Sequence, residues 1–600
     1  MTTNIIASPA VSEKLQENLA RIEVLSTRLA QAMAQKKPIR PSLQGPAPDM
    51  WAKAAGAYFG EAMANPEKVW AAQVDYWSKA FQNALEAQES LLAGGEVEAA
   101  DDTPNDPRFK NPLWQTNPYF RALKKQYFTA ADAIEKGLDE LEGVDPADRR
   151  RLEYFTRQIV DMMAPTNFLA SNPDALEKAI ETEGQSLIDG LENMIRDLEK
   201  NHGELIVTLS DPDAFKVGEN LGTAKGSVVY RNRMFELIQY APTTKEVYAR
   251  PLIIFPPWIN KFYILDLKPE NSLIRWIVDQ GYTLFVVSWV NPDAHYDDVT
   301  METYVSEGYL TAIREVKEIT GQKKVNVVGY CIAGTTLALT LALMKKRGDK
   351  SVNSATFFTA LTDFSDAGEV GVFLGDDFVD GIEEETKETG VMSSLYMSRT
   401  FSYLRANDLI YRPAIQSYML GNPPPAFDLL YWNGDSTNLP GKMAVQYLRG
   451  LCQRDEFAGA GKTFQLFDQK LRVEDVKVPL CAVACETDHI AAWKSSYRGI
   501  RAMGSKDKTF ILSESGHIAG IVNPPSKNKY GHYMNADWPE NPDDWQANAA
   551  FIPGTWWFDW DSWLAPRSGE KVPARQPGDA THPTICAAPG TYVIAKPKWS

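Results

Sequence analysis

The residues with the clearest chemical potential are a cysteine and its neighbours in mid-chain, Gly329-Tyr330-Cys331-Ile332-Ala333-Gly334. The apolar run Val325–Val328 before them predicts a short buried strand, and Thr335–Met344 after them predicts a helix. A sharp turn between strand and helix holds the side chain at its apex clear of the sheet, as in a nucleophile elbow. The pattern therefore predicts that Cys331 is a nucleophile. The alternative is a structural cysteine buried behind a core strand.

A nucleophile of this kind needs a base to take its proton and a third group to orient that base. Where the nucleophile stands at such an elbow, an acid and then a histidine follow it along the chain, on loops after late strands. Asp488 follows the strand-like run Leu480–Ala484, and His517 follows the run Phe510–Leu512. We therefore expect Cys331, Asp488 and His517 to form a catalytic triad, with His517 as the base.

Two neighbouring residues offer alternatives. Glu486 could replace Asp488 as the orienting acid, and His489 could replace His517 as the base. His489 is too near Asp488 in sequence to receive that carboxylate from a separate loop. We therefore interpret His489, together with Trp258, as a residue of the substrate pocket.

An oxyanion hole would require two backbone N–H groups near the nucleophile. The residue after the nucleophile, Ile332, should supply one, and the loop after an early strand should supply the other. The candidate loop is Pro256-Pro257-Trp258-Ile259-Asn260. Because prolines lack an N–H group, Trp258 or Ile259 must donate, and we favour Ile259.

From about residue 205, short β-rich runs alternate with helical stretches, which predicts a mainly parallel sheet covered by helices on both faces. More than a hundred residues separate the run Ala355–Thr359 from the run Leu480–Ala484, far more than a crossover needs. That gap predicts a cap over the sheet at about 362–470, with a remote insertion as the alternative. The runs are Val228–Leu237, Leu252–Phe255, Leu284–Trp289, Val325–Val328, Ala355–Thr359, Leu480–Ala484 and Phe510–Leu512.

The predicted organisation has a helical region at 1–93, an acidic linker at 94–107, a helical N-terminal domain at 108–204 and a catalytic domain at 205–600. The catalytic domain ends in a Trp-rich tail at 533–600, which we expect to be loosely ordered beyond Gly578. In the first region Leu15, Leu19, Ile22, Leu25 and Leu29 recur at three- and four-residue steps. This amphipathic face either packs on the protein or docks on a partner or hydrophobic surface.

Composition excludes several classes of protein. The net charge of −16 over 600 residues argues against nucleic-acid binding, which needs a concentrated basic surface. No apolar run reaches the length of a membrane span, and the N-terminus has no export signal. The histidines and the five cysteines show no metal-ligand spacing, so we expect no metal and no cofactor. The cysteines are few and odd in number, which fits a protein of the reducing cytoplasm.

A cysteine nucleophile favours transfer of an acyl group over its hydrolysis. Attack of a thiolate on a CoA thioester exchanges one thioester for another, so the acyl group stays activated for a second acceptor. A serine would convert the same group to an ordinary ester. An apolar cap that excludes water would protect such an intermediate.

Taken together, these residues resemble the class I polyhydroxyalkanoate synthases, from about Asn117 to Gly578. Ala333 departs from the family, which often has glycine at this position, and the stretch after Gly578 is additional. The segments that carry the resemblance are Pro165–Leu169, Pro256–Leu267, the elbow at Cys331, Asp488-His489, Gly516–Gly520, Gly554–Trp557 and Val572–Arg575.

The resemblance implies an α/β-hydrolase fold with a cap and a helical N-terminal domain. It implies polymerisation of (R)-3-hydroxyacyl-CoA to polyester with release of CoA. Cys331 would be acylated, His517 would be the general base, and Asp488 would either orient His517 or activate the 3-hydroxyl of the substrate. The family also implies a homodimer at the surface of cytoplasmic polyester granules, with granule-associated proteins as partners. Two other hypotheses stay open: a cysteine-type hydrolase of a lactone or polyester, and a non-catalytic granule-coating protein.

Overall fold

The computed structural model describes residues 9–36, 48–92 and 103–596. Of the predicted acidic linker, residues 94–102 lie outside these ranges. The chain divides into two compact units. The first comprises the chain up to Leu209 together with Arg405–Pro425, and the second comprises Ser210–Leu404 together with the chain from Ala426 onward. Arg405–Pro425, a part of the predicted cap, therefore belongs to the first unit.

The described residues of the N-terminal part of the first unit form eight α-helices, and six of them begin with proline. Proline lacks the N–H that would be unsatisfied at this position, and its fixed φ suits the first helical turn. Asn117, Asp145 and Asn172 cap three of these helices by accepting a backbone N–H. The helices are α1 (Pro9–Ala34), α2 (Pro48–Ala64), α3 (Pro66–Leu92), α4 (Leu113–Thr116), α5 (Pro118–Asp139), α6 (Pro146–Met162), α7 (Pro173–Glu181) and α8 (Gln185–Lys200).

The later part of the apolar face of α1 packs within this unit, whereas Ile22 is exposed and the side chains of Leu15 and Leu19 lie outside the described residues. Leu25 is buried against Ile188 and Ile195 of α8, and Leu29 lies beside them. At the edge of this contact, the guanidinium of Arg28 lies 2.7 Å from the carboxylate of Glu199. For this part of α1 the packing interpretation is therefore confirmed. No helix of the described ranges combines the length and hydrophobicity needed to cross a bilayer.

An eleven-stranded sheet forms the core of the second unit, in the order β15-β14-β13-β12-β7-β6-β4-β5-β2-β1-β17. The six strands from β13 to β5 in this order are parallel, and those at both edges are antiparallel. The strands are β1 (Gly226–Arg231), β2 (Phe235–Tyr240), β3 (Glu246–Tyr248), β4 (Leu252–Phe255), β5 (Leu284–Trp289), β6 (Val325–Tyr330), β7 (Val352–Phe358), β8 (Val391–Met392), β9 (Leu439–Pro440), β10 (Phe464–Leu466), β11 (Gln469–Leu471), β12 (Leu480–Cys485), β13 (Lys508–Ser513), β14 (His532–Met534), β15 (Ala550–Ile552), β16 (Lys571–Pro573) and β17 (Cys586–Ala587).

The sequence treated Val228–Leu237 as one β-rich run, but the structure divides it into the antiparallel hairpin of β1 and β2. The side chain of Asn232 accepts the backbone N–H groups of Met234 and Phe235 and so closes the turn. An Asx turn of this type needs one short polar residue, which is easily overlooked inside an apolar run. The other predicted strands are confirmed, with ends shifted by up to three residues.

Helices of the second unit cover the sheet and build the cap. The elbow helix, α12, carries no charged residue from Ile332 to Met344 and is buried over that span, which is typical of a helix packed on a parallel sheet. Further helices are α9 (Leu273–Asp279), α10 (Met301–Thr303), α11 (Thr311–Thr320), α12 (Ile332–Lys346), α13 (Asp376–Thr389), α14 (Ser394–Leu404), α15 (Arg412–Ala414, in the first unit), α16 (Asp428–Asn433), α17 (Gly441–Gln446), α18 (Trp493–Ala502), α19 (Pro542–Ala547) and α20 (Trp557–Leu564).

The described residues after Gly578, Asp579 to Lys596, are ordered, so the expectation of a loose tail is wrong for them. Strand β17 pairs with the edge strand β1, where Ser227 faces Ala587 and Val228 faces Cys586. Val593 is buried in the main apolar core. Edge pairing uses backbone groups, which leave no side-chain pattern in the sequence.

Candidate active site

Cys331 stands at the junction of β6 and α12. Its backbone adopts φ +54° and ψ −129°, a left-handed conformation that costs a non-glycine residue about 1–3 kcal/mol. Its N–H donates to the carbonyl of Phe358 in β7 at 2.8 Å, and its carbonyl accepts the N–H of Gly334 at 2.8 Å. These two bonds hold the strained turn, and the side chain is partly exposed at its apex.

Two glycines allow the strand and helix to approach at this turn. A Cβ on Gly329 would lie 2.6 Å from Cα of Gly334, and a Cβ on Gly334 would overlap Cβ of Ala360. Ala333 is fully buried, and its carbonyl accepts a hydrogen bond from the hydroxyl of Tyr309 at 2.8 Å. The close approach therefore needs a glycine at 334, one residue beyond the fifth position of the strict motif.

His517 and Asp488 meet beside Cys331. Nδ1 of His517 lies 2.7 Å from Oδ2 of Asp488. The other carboxylate oxygen, Oδ1, accepts the backbone N–H groups of Ile490 and Ala491, each at 2.8 Å. Because both oxygens of Asp488 are engaged, the carboxylate is fixed in position and so fixes the imidazole.

The far side of the imidazole faces the thiol. The sulfur of Cys331 raises the pKa of the imidazole, so the two side chains lie close together. Since Nδ1 is taken by Asp488, Nε2 is the atom left to face the sulfur. The ring of Tyr330 lies parallel to the imidazole, with centroids 5.9 Å apart. The structure thus brings together the three residues that the sequence predicts as a triad.

Asp488 and Cys331 both influence the pKa of the His517 imidazole. Burial by itself lowers the pKa of His517, but the carboxylate of Asp488 and the sulfur of Cys331 both raise it. The result is a pKa well above the usual 6.5. A histidine in this environment is held in its protonated form between two acceptors.

Glu486 and His489 have other surroundings. Oε1 of Glu486 accepts the amide of Gln546 at 2.6 Å, whereas the carboxylate bound to His517 is that of Asp488. His489 is half-buried on the loop between Asp488 and Ile490, and Ile490, the next residue, reaches the cavity above the thiol.

Trp258 and Ile259, from the early loop, take different positions. The indole N–H of Trp258 donates to Thr336 at 3.2 Å, and its ring packs 5.5 Å from that of Tyr447, which lines the cavity. Trp258 is therefore a supporting residue behind the cavity wall. Ile259 reaches the cavity itself, as do Cys331 and Ile332.

The N-terminus of α12 points at the same space. Ile332 is the first residue of that helix, and the first N–H groups of a helix have no partner within it. They carry a partial positive charge that suits a developing oxyanion. The backbone of Ile332 and Ile259 thus borders the place where the predicted oxyanion hole would be.

A cavity of about 110 Å³ lies above Cys331. Its walls combine the sheet side with the cap, and the cap contributes mainly aromatic and aliphatic side chains. Among the described residues, no Asp, Glu, Lys or Arg lines it. The segment predicted as a cap contributes to these walls through Phe364, Phe373, Phe378, Met397, Phe401 and Tyr447.

The parallel sheet, the strained elbow between β6 and α12 and the late acid and histidine define the α/β-hydrolase fold. Sequence comparison agrees, since residues 251–524 match the model of the alpha/beta hydrolase fold. Residues 105–277 match the model described as the N-terminus of poly-beta-hydroxybutyrate polymerase (PhaC).

Three relatives match almost the whole chain. This chain is 40% identical over 536 residues to a poly(3-hydroxyalkanoate) polymerase of Methylorubrum extorquens, and the match covers 87% of this chain and 88% of the relative. Identity to the polymerase subunit PhaC of Rhizobium meliloti is 38% over 550 residues, covering 89% of each chain. Identity to that of Cupriavidus necator is 39% over 537 residues, covering 88% and 90%. The chain belongs to the poly(3-hydroxyalkanoate) polymerase family, and it is an acyltransferase that makes polyester.

Proposed function

We propose that this polymerase joins (R)-3-hydroxyacyl units, such as 3-hydroxybutyryl, from their CoA thioesters through an acyl-Cys331 intermediate. The observation that carries the proposal is the hydrogen-bonded pair of Asp488 and His517 beside Cys331, which lines an apolar cavity. The raised pKa of His517 favours an imidazolium, which can give its proton to the departing CoA sulfur.

In the first half-reaction, the thiolate of Cys331 attacks the carbonyl carbon of the CoA thioester. The C–S bond to CoA breaks, and the departing CoA thiolate takes the proton from Nε2 of His517. The backbone N–H groups of Ile332 and Ile259 stabilise the negative charge on the carbonyl oxygen during attack. The products are acyl-Cys331 and free CoA.

In the second half-reaction, a 3-hydroxyl group attacks the carbonyl carbon of acyl-Cys331. His517, now neutral, accepts the hydroxyl proton at Nε2, the new ester bond forms, and Cys331 leaves as thiolate. Each cycle returns the imidazolium and the thiolate, so the site is ready for the next unit. The apolar walls of the cavity keep water from competing with the hydroxyl.

Of its two possible roles, we assign to Asp488 the orientation of His517. Oδ2 lies at the imidazole Nδ1, and Oδ1 already accepts two backbone N–H groups. Binding the substrate hydroxyl would need a further hydrogen bond at Oδ2, the oxygen that already faces His517. Orientation needs no such change.

The surface of α3 supports a place at the polyester granule in the cytoplasm, where a homodimer and granule-associated proteins would assemble. Five apolar side chains at steps of three and four residues are exposed along this helix, so they share one face. Trp70 is 70% exposed, and Trp77 and Phe81 are each 65% exposed. An aliphatic polyester is a surface on which such side chains can be buried. The stripe consists of Trp70, Val74, Trp77, Phe81 and Leu85.

The test is the Cys331→Ala variant incubated with 3-hydroxybutyryl-CoA. We expect CoA release to be abolished, while Cys481→Ala, which removes a buried thiol from β12, retains it. Mass spectrometry of the wild type should find the acyl group on Cys331. Polymer as the product supports the proposal, free hydroxy acid would indicate a hydrolase, and absence of acylation would indicate a granule-coating protein. Undiminished turnover in Cys331→Ala would overturn the mechanism.

A further inference from the structure

The segment after Gly578, which the mechanism leaves without a role, is attached to the second unit at successive points. Its first part is held by an imidazole, since Nε2 of His582 lies 2.9 Å from the carboxylate of Glu315 in α11. The pairing of β17 with β1 follows. We call residues 579–596 the C-terminal strap.

The next attachment is a buried carboxylate. Glu236 in β2 is fully buried, and it accepts the backbone N–H groups of Thr591 and Tyr592 at 2.8 and 3.0 Å. The Thr591 hydroxyl donates to the same carboxylate at 2.8 Å. A buried carboxylate requires such donors, so this part of the strap has a defined position.

The end of the strap reaches the loop that borders the proposed oxyanion hole. The carbonyl of Ala595 accepts Nζ of Lys261 at 2.9 Å, and Nζ of Lys596 lies 2.8 Å from Asp435. Lys261 also donates to Asp435 at 2.8 Å. The side chains of this lysine and aspartate are 3% and 4% exposed, so the ion pair is buried, with the strap completing its hydrogen bonds.

Lys261 stands two residues after Ile259, and the surrounding cap residues hold the same loop through its backbone. The indole of Trp432 donates to the carbonyl of Lys261 at 2.7 Å, and the hydroxyl of Thr437 donates to the carbonyl of Trp258 at 3.2 Å. The loop is thus fixed by the cap on one side and by the strap on the other.

We propose that the C-terminal strap positions the backbone N–H of Ile259 for the acyl-transfer reaction, with Lys261 as the positioning residue and Asp435 as its anchor. This inference rests on the proposed function of Ile259 in the oxyanion hole. A backbone donor stabilises an oxyanion well only within a few tenths of an ångström of its required place. Nζ of Lys261 donates one hydrogen bond to the strap and one to Asp435 of the cap, so loss of either partner should loosen the loop.

The test uses Lys261→Met, which keeps the length of the side chain and removes its charge, and the double variant Lys261→Met/Asp435→Asn. The readouts are the single-turnover rate of Cys331 acylation by 3-hydroxybutyryl-CoA, KM, and the midpoint of thermal unfolding. We expect acylation to slow on the order of tenfold to a hundredfold with little change in KM.

The double variant separates positioning from stability. Lys261→Met leaves the carboxylate of Asp435 buried with less charge compensation, so its unfolding midpoint should fall. The second substitution removes that buried charge, and the midpoint should recover while acylation stays slow. Recovery of acylation together with stability would show a purely structural role and overturn the proposal.

A pair of shortened chains tests the strap itself. Ending the chain after Val593 removes the carbonyl of Ala595 and should reproduce the slow acylation of Lys261→Met. Ending it after Lys596 keeps every described strap contact and should leave acylation at the wild-type rate. Equal rates in the two shortened chains would refute the role of the strap. If the wild type itself forms no acyl-Cys331, the proposed function fails instead.

Discussion

Asp488 and His517 are joined through one carboxylate oxygen, while the other oxygen of Asp488 is bound to the backbone of its own loop. The two functions are therefore divided between two atoms of one side chain. Oδ1 sets where the carboxylate lies, and Oδ2 sets which nitrogen of His517 faces Cys331. A change at Asp488 should disturb the orientation and tautomer of His517 more than the fold.

Asp488→Asn should lower the rate of CoA release by about 10²- to 10⁴-fold. The amide keeps the shape of the side chain, but its NH₂ group can face Nδ1 of His517 and favour the wrong tautomer. The measurement is steady-state CoA release with 3-hydroxybutyryl-CoA. Glu486→Gln is the matched control, since Glu486 is bound to Gln546, and it should keep near-normal turnover. Equal losses in both variants would contradict the assignment of Asp488.

The raised pKa of His517 predicts a pH dependence of stability. Its protonated form is favoured in the folded state, so the contribution is fully present below the unfolded pKa of about 6.5 and is lost as pH rises through the folded pKa. We expect the difference in free energy of unfolding between wild type and His517→Gln to shrink above about pH 6.5. Chemical denaturation across this range measures it. A difference that grows with pH would contradict the prediction.

Gly334→Ala should destabilise the protein by about 1–3 kcal/mol and slow turnover, because the new methyl would overlap Cβ of Ala360 and displace the elbow. Gly371→Ala is a suitable control, since a Cβ there lies 3.5 Å from its nearest neighbour. Denaturant unfolding and CoA release should separate the two variants. An unaffected Gly334→Ala would show that the turn has more space than the structure indicates.

Replacing Trp70, Trp77 and Phe81 by glutamine should weaken binding to polyester granules. Turnover of soluble hydroxyacyl-CoA should stay near wild type because none of these residues belongs to the second unit, which holds Cys331. Co-sedimentation with purified granules measures the binding. Ile180→Gln, at a residue of α7 that is 79% exposed, removes an isolated apolar side chain and should bind normally. Unchanged binding of the triple variant would assign the granule contact to another surface.

The sequence predicted the elbow and its partners because this chemistry depends on local patterns. Cys331 is marked by flanking glycines between a strand and a helix, and Asp488 and His517 each follow a short apolar strand. Residues at the carboxyl ends of parallel strands share one edge of the sheet, so separate local predictions converge on one place. The parallel core strands were predicted for the same reason.

Features that depend on contacts between distant segments could not be predicted in this way. The strap carries no periodic apolar pattern, and its attachments to Glu236 and Lys261 use backbone carbonyl and N–H groups. The transfer of Arg405–Pro425 to the first unit likewise follows from packing against α8, not from its composition. The hairpin of β1 and β2 was missed because its turn rests on one asparagine side chain.

Cys331, Asp488, His517 and Ile259 all come from the second unit of a single chain. We therefore expect each copy to carry the proposed reaction centre within its own chain. When wild-type chains are mixed with Cys331→Ala chains, the rate of CoA release should fall in proportion to the fraction of wild-type chains. Dimerisation would then change the turnover rate of each centre and its contact with the polymer, but it would not be needed to assemble the centre.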